Sequence, residues 1–475
     1  MDIIQKLLHK VSLGIPSSQP SRPPHRPSLN TPEQWQAYWA AQGQPWRKGP
    51  EIDLPRQAEL AQRRDIVPDV KQGSYPFKGM QLSRADVEWL LATHENGRGP
   101  VDWSDEGQRG RNGLDLRGAD LHHVDLSHLP LSRLCGGYRR RPDESWNEAS
   151  DEELHAAAAI LNGADLRSTH LEDADLCGVY LQDADLRAAH LEQADFCRAH
   201  LEGVRLHGAN LKFAYLRAAH LERANLFRAN LEHAILMEAY LGGAILVRSS
   251  LEEGELDRVI LSDEKHGCPR VADVRWGNVN LAAVKWSQVK MLGDEQGARQ
   301  KTREGTVKSK AVRLREYEQA VRANRQLAVT LQAQGLNEQA ARFAYRAQVL
   351  QRRAFWFEAI QQKVKLRQRG QALGAWLFSW FLFLLAGYGY KPERSFLVYL
   401  LVITGFTALY LGLGGHLAWY EAVVVSMTAF HGRGFSPSTF SPGDPLSIAS
   451  AFEAFVGLII EVTFIATLTQ RFFNK

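Results

Sequence analysis

The chain has 475 residues, 45% of them apolar, enough for several domains, and its formal charge of +4 singles out no polyionic partner such as nucleic acid. Its four cysteines, Cys135, Cys177, Cys197 and Cys268, lack the close pairing of a zinc or redox motif and suit a reduced, cytoplasmic compartment. No nucleophile–base pair or phosphate-binding loop stands out, so neither enzyme activity, nor a cofactor, nor a metal site is expected.

Residues 1–30 begin without an apolar core long enough for a secretory signal and run into a Pro/Ser-rich stretch, so they read as a disordered cytoplasmic tether. Residues 31–112 read as a helical cap. Thr31-Pro32-Glu33-Gln34 starts one helix ahead of Trp35, Tyr38 and Trp39, and Ser83 starts another carrying Val87, Leu90 and Leu91. The tryptophans suit a cover for the open end of a repeat beginning near residue 113.

From Leu161 to Leu261 every fifth residue is leucine, with Phe196 as the exception, and alanine recurs two positions earlier, as at Ala164, Ala174, Ala184 and Ala194. A helix would scatter that spacing around its circumference and a flat strand would alternate it between faces. A four-sided coil buries every leucine, with one pentapeptide on each side. The pattern resembles the pentapeptide-repeat family, A(D/N)LxX, over about a third of the chain. The resemblance implies a right-handed quadrilateral β-solenoid, here assigned to residues 113–290 with an insertion at about 130–160. Positions twenty apart then stack: Asp165 over Asp185, His170 over His190, Cys177 over Cys197. Repetition alone copies any surface residue down a face, so these ladders do not by themselves mark a metal site. Some family members mimic DNA, but the mixed charges here favour a docking surface for an unnamed protein or ligand.

Residues 295–369 are rich in Ala, Gln, Arg and Glu. Leu314, Tyr317, Ala320, Val321 and Leu327 mark one helix, Gly335-Leu336-Asn337 a turn, and Ala340, Phe343, Ala347 and Leu350 a second helix. This is a cytoplasmic helical hairpin, ending in basic residues that suit a cytoplasmic membrane boundary.

Residues 370–475 read as a multi-pass cell-membrane domain with three apolar runs. Three crossings would strand Lys391, Arg394 and the basic C-terminus outside, against the positive-inside bias. The first run, 373–390, is flanked by basic residues and carries Trp376 and Trp380, so it reads as interfacial or re-entrant; 395–413 and 446–469 are the crossings. Between them, residues 418–437 read as a short helix followed by Phe430-His431-Gly432-Arg433-Gly434. This resembles the pore helix and selectivity filter of the two-transmembrane potassium-channel family. Both glycines match, whereas the family's threonine, valine and tyrosine are replaced by Phe430, His431 and Arg433. The resemblance implies a homotetramer around one pore in the lipid bilayer and a hinge at Gly457. Glu461, one helical turn on, is expected in the pore cavity, where a carboxylate ring draws a monovalent cation. Arg433 either faces the axis, favouring anions or closure, or packs backward against Glu421 or Glu453; pairing favours the second. The expected function is an ion-channel subunit, with a non-conducting membrane scaffold or an anion pore as alternatives.

Overall fold

The computed structural model describes residues 26–27, 31–70, 72–139, 149–300, 307–361, 366–413, 417–432 and 445–473, with side chains as far as Thr469. The expected tether is almost wholly outside these residues. The chain forms two compact units, residues 1–205 with 209–215, and residues 206–208 with 216–475.

In the first unit the helices α1 (Pro32–Ala40), α2 (Leu54–Arg64) and α3 (Arg84–Ala92) precede the coil. Helix α3 starts where the sequence expects it: Ser83 and Asp86 close a reciprocal capping box that satisfies two first-turn amides. The segment after Gly79 lies on the first coil turn, where Leu82 N donates to Asp120 O and Asp120 N to Met80 O, both at 2.9 Å. The cap thus satisfies backbone groups that the first turn would leave open.

Each coil side carries an inward leucine and alanine; Leu166, Leu186, Ala164 and Ala184 are all at most 1% exposed. Successive turns pair in parallel at twenty-residue spacing, Asp165 with Asp185 and His170 with His190. Leu166 N donates to Asp185 O at 2.8 Å and Leu186 N to Arg205 O at 2.8 Å. Corners are made by residues with positive φ two places after the leucine, such as Ser168 at 51° and Asp183 at 57°. Only a left-handed residue turns the chain this sharply, so the strain recurs with the repeat.

The insertion is shorter than expected. Pro130 pairs with His170 and Cys135 with Asp175, so the coil continues through Cys135. The spacing across this gap is forty residues, so one turn's length is diverted. The diverted segment includes α4 (Asp151–Ala157), whose Leu154 and Ala157 pack over Cys177, Cys197, Tyr75 and Tyr138. All four cysteines are buried, and none forms a disulfide.

Stacked like charges are balanced two residues on. Asp165 pairs with Arg167 at 2.5 Å and Asp185 with Arg187 at 2.7 Å, because residues flanking an inward leucine both point outward. The Arg167 guanidinium holds the Asp165 carboxyl below its usual range.

In the second unit the repeat continues, Leu226 N donating to Ile245 O at 2.9 Å. Trp276, Leu281 and Trp286 remain buried at its last turns. Helix α5 (Gly293–Arg299) leads to the hairpin, α6 (Lys310–Ala333) and α7 (Asn337–Ala359). Gly335, at φ +76°, makes the turn between them. Glutamines of α6 serve the coil's last edge: Gln326 accepts from Asp273 N at 2.9 Å, and Gln334 accepts from Leu281 N at 2.9 Å.

The chain then forms α8 (Leu366–Ala386), α9 (Pro392–Leu413), α10 (Trp419–Phe430) and α11 (Pro445–Phe473). Three stretches, Leu366–Gly389, Pro392–Leu413 and Pro445–Thr469, are long and apolar enough to cross a membrane, consistent with a membrane-associated protein. The first of these stretches takes in the run expected at 373–390 up to Gly389 and includes Leu366–Ala372 before it.

Truncating Leu186 to Ala in the full chain should cost about 2–5 kcal/mol, as deleting a buried leucine leaves a cavity; a lowered melting midpoint measures it. Burial pushes the Cys135 thiol up to about 12. Iodoacetamide at pH 8 should therefore leave Cys135 unlabelled in the native protein and label it after denaturation, read by peptide mass spectrometry.

Candidate functional site

Helix α10 is only 12 residues long and lies between α9 and α11. Near its N-terminus Ala422 and Val425 pack with Tyr410, Phe406, Leu446 and Ala449. At its C-terminus Phe430 packs with Tyr399, Val402 and Ile460, and with Leu385 at the end of α8. The helix therefore runs antiparallel to α9 and alongside α11 in the same direction. Leu446 and Ala449, early in α11, thus lie beside the start of α10.

Two polar contacts and one glycine hold this arrangement. Glu453 of α11 is fully buried. Tyr410 of α9 donates its hydroxyl to one Glu453 oxygen at 2.7 Å, and Ser426 of α10 donates to the other. One carboxyl group thus ties three helices, with both oxygens satisfied in an apolar setting. About two turns further along α11, Glu461 Oε1 meets His431 Nδ1, and both side chains stay partly exposed, 37% and 43%. Between these contacts lies Gly457, where a Cβ would fall 2.1 Å from the Phe430 carbonyl oxygen. Only glycine admits that approach.

These contacts place most of the residues singled out from the sequence. Gly457 is a packing glycine: α11 runs unbroken through it, and its bare Cα receives the end of α10. Phe430 buries its ring, 1% exposed, and turns its carbonyl towards Gly457. Glu421, expected as a support for Arg433, accepts from Ala418 N at 2.9 Å and caps its own helix, because first-turn amides lack partners within a helix. Glu453, the other expected support, is engaged by Tyr410 and Ser426. His431 and Glu461 meet each other, whereas the sequence assigned them separately to filter and cavity. Gly432 has φ +67°. Arg433 and Gly434 lie outside the described residues. Tyr410 and Ser426 were not singled out from the sequence; the available signal was that a glutamate in an apolar run needs hydroxyl partners at the same depth.

On the coil, histidine, glutamate and histidine converge at His170, Glu172 and His190. The Glu172 hydrogen bond at 2.9 Å raises the His170 pKa above its ordinary value.

Residues 159–196, 184–223 and 224–263 match the family model for pentapeptide repeats. The coil is therefore a pentapeptide-repeat domain, and the match does not extend to the apolar helices. No curated protein matches the chain. Among solved structures, the chain is similar to trypsin-treated QnrB1, a plasmid-mediated fluoroquinolone resistance protein, at 18% identity and TM-score 0.22, covering 40% of this chain and 88% of that one. It is also similar to HetL, a pentapeptide repeat protein involved in heterocyst differentiation regulation from the cyanobacterium Nostoc sp. strain PCC 7120, at 23% identity and TM-score 0.13, covering 36% and 81%. A third is the pentapeptide repeat protein Rfr23 from the cyanobacterium Cyanothece 51142, at 25% identity and TM-score 0.15, covering 34% and 90%.

Replacing Gly457 by Ala should force α10 and α11 apart at Phe430, since backbone cannot yield as a flexible side chain does. The expected result is a melting midpoint in detergent well below the parent's, with Gly405→Ala, whose Cβ would meet open space, close to the parent.

Proposed function

We propose that the chain is one subunit of a pore-loop ion channel, similar in architecture to two-transmembrane potassium channels, with a cytoplasmic pentapeptide-repeat domain that docks or regulates. The observation that carries this reading is α10: a 12-residue apolar helix packed between α9 and α11, antiparallel to the first and starting at the same level as the second. A short helix packed between two long apolar ones is the arrangement in which a pore-loop channel aims a helix C-terminus at its ion path.

Four copies around an axis would complete the path. Helix α11 leaves Ile448, Phe452, Phe455, Leu458, Val462 and Ile465 exposed in the single chain, a stripe at three- and four-residue steps that suits a neighbouring subunit. Helix α10 leaves Val424 and Met427 exposed as well. In such an assembly Glu461 and His431 sit at the inner end of α10, and a ring of Glu461 carboxylates would favour cations.

Packing of α8 supports its placement at the cytoplasmic surface rather than across the bilayer. Helix α7 runs along it: Trp356 contacts Trp376, Arg352 sits 4.0 Å over Trp380 and 4.2 Å over Phe383, and Tyr345 meets Tyr388 and Tyr390. If α8 crossed, it would carry an arginine-bearing helix into the hydrocarbon beside it, at high cost. Laid at the interface, α8 offers Leu373, Leu377, Phe378, Phe381 and Leu384 to lipid, and α9 and α11 remain as two crossings. Both ends of the chain then stay in the cytoplasm.

The engaged Phe430 carbonyl favours a second reading, a membrane scaffold that does not conduct. Flux through purified protein in liposomes under potassium, sodium and chloride gradients separates the readings. Cation flux reduced several-fold by Glu461→Gln is the expected result. Chloride preference abolished by Arg433→Ala would instead make Arg433 an axial ring, and no flux from folded tetramer would leave the scaffold.

A further inference from the structure

Helix α6 is anchored to the last turns of the coil at two places. At the first, Gln326 Oε1 accepts from Asp273 N at 2.9 Å and Arg322 Nε donates to Asp273 Oδ1 at 3.3 Å. At the second, Gln334 Oε1 accepts from Leu281 N at 2.9 Å and its Nε2 donates to Val279 O at 2.6 Å. Gln326 and Gln334 stand about 12 Å apart along the helix axis. The residues that follow the first anchor on each side line a cleft of about 380 Å³: Val274, Trp276 and Gly277 of the coil, Val329 and Thr330 of α6, with Arg325 beside the anchor. The space stays open because Gly277 has no side chain to fill it, and none could be added, since a Cβ there would fall 2.7 Å from Glu252 Cγ.

The chemistry of the lining is one-sided. Val274 and Trp276 form a buried apolar floor, and Val329 on the facing helix is 68% exposed. Thr330 turns its hydroxyl back to Gln326 O at 3.0 Å. Gln326 engages its carbonyl oxygen with Asp273 N, which leaves its amide N–H groups as donors. Among the described residues of the lining, Arg325 is the one that carries a charge, and its hydrogen-bond partner is a neutral amide, Gln351 Oε1 at 3.2 Å. The acids of the neighbouring coil turns are matched elsewhere: Asp273 pairs with Arg322 at 3.3 Å and with Arg248 at 3.6 Å, and Glu252 with Arg275 at 3.7 Å. The cleft therefore joins an apolar floor to one guanidinium with no counter-charge.

We propose that this cleft binds a small molecule with an apolar body and a single carboxylate, the body against Val274, Trp276 and Val329 and the carboxylate on Arg325. The planar fork of a guanidinium matches a carboxylate in geometry and charge. One uncompensated arginine balances one negative charge, which favours a monocarboxylate over a polyphosphate. The volume lies at the lower end of the range of about 300–1,000 Å³ for small-molecule clefts and suits a body of one or two rings. A bound molecule would touch the coil and α6 together and so add a contact between the anchors that the chain alone does not make. The site does not require that the apolar helices conduct ions.

The test uses the full-length protein in detergent and the photoreactive probe 4-benzoylbenzoate, an apolar aromatic monocarboxylate, with cross-linked positions read by peptide mass spectrometry. The expected result is labelling within residues 274–277 or 325–330 that excess 2-naphthoate suppresses, a comparison that needs no variant to fold. Labelling there should fall several-fold in Arg325→Gln. Arg315→Gln, which removes an exposed arginine of the same helix outside the cleft lining, should label as the parent does. Neutral benzophenone should mark the detergent-covered apolar helices and leave the cleft largely unlabelled. The site is overturned by an absence of probe in both segments, by equal labelling of them in folded Arg325→Gln and parent, or by benzophenone labelling them as strongly as the carboxylate.

Discussion

Apart from the bond that closes each corner, as from Ala164 N to Leu161 O, each side of a pentapeptide turn makes its backbone hydrogen bonds with the turns before and after it, and the rest of the structure answers to that constraint. The first turn has no predecessor, so Met80 and Leu82 supply its partners. The last turns have no successor, so the side-chain amides of Gln326 and Gln334 supply theirs from α6. The caps are thus the physical end of the repeat, as any linear stack of turns requires. The same stacking copies surface charge at about 4.8 Å intervals, which would destabilise a ladder of aspartates. Arginines two positions on offset it at Asp165 and Asp185.

Contacts continue from the coil's last edge into the apolar helices. Helix α6 holds the coil, α7 packs on α6 through Leu350 and Ala354, and Arg352 of α7 rests on the rings of α8. The end of α8 supplies Leu385 to the cluster around Phe430. Phe430 in turn packs its carbonyl against Gly457, four residues from Glu461. Packed side chains thus run from the hairpin to the C-terminal end of α10. Close packing makes such a path stiff.

The repeat was legible because its periodicity is a property of the chain: a leucine every five residues has one geometry that buries all of them. The hairpin was legible for a similar reason, since Tyr317, Val321, Phe343 and Leu350 recur at helical spacing and are buried together. The start of the insertion was placed too early, although the register is visible as far as Leu131; it lapses at Gly136, and the pairing of Pro130 with His170 and Cys135 with Asp175 shows that the coil reaches that point. Around α10 the difficulty was greater. Glu421 and Glu453 look alike in sequence as acids in apolar surroundings, yet one caps its own helix and the other binds two hydroxyls from other helices.

The sequence alone determined the coil, the hairpin and the existence of the apolar helices, because burial periodicity and segment length are local and repeat within a few residues. Which carboxylate meets which partner was decided only by the tertiary structure. Tyr410 lies forty-three residues from Glu453, and His431 thirty from Glu461. No local spacing encodes those pairs; they exist because three helices pack at one depth, with a glycine at the crossing.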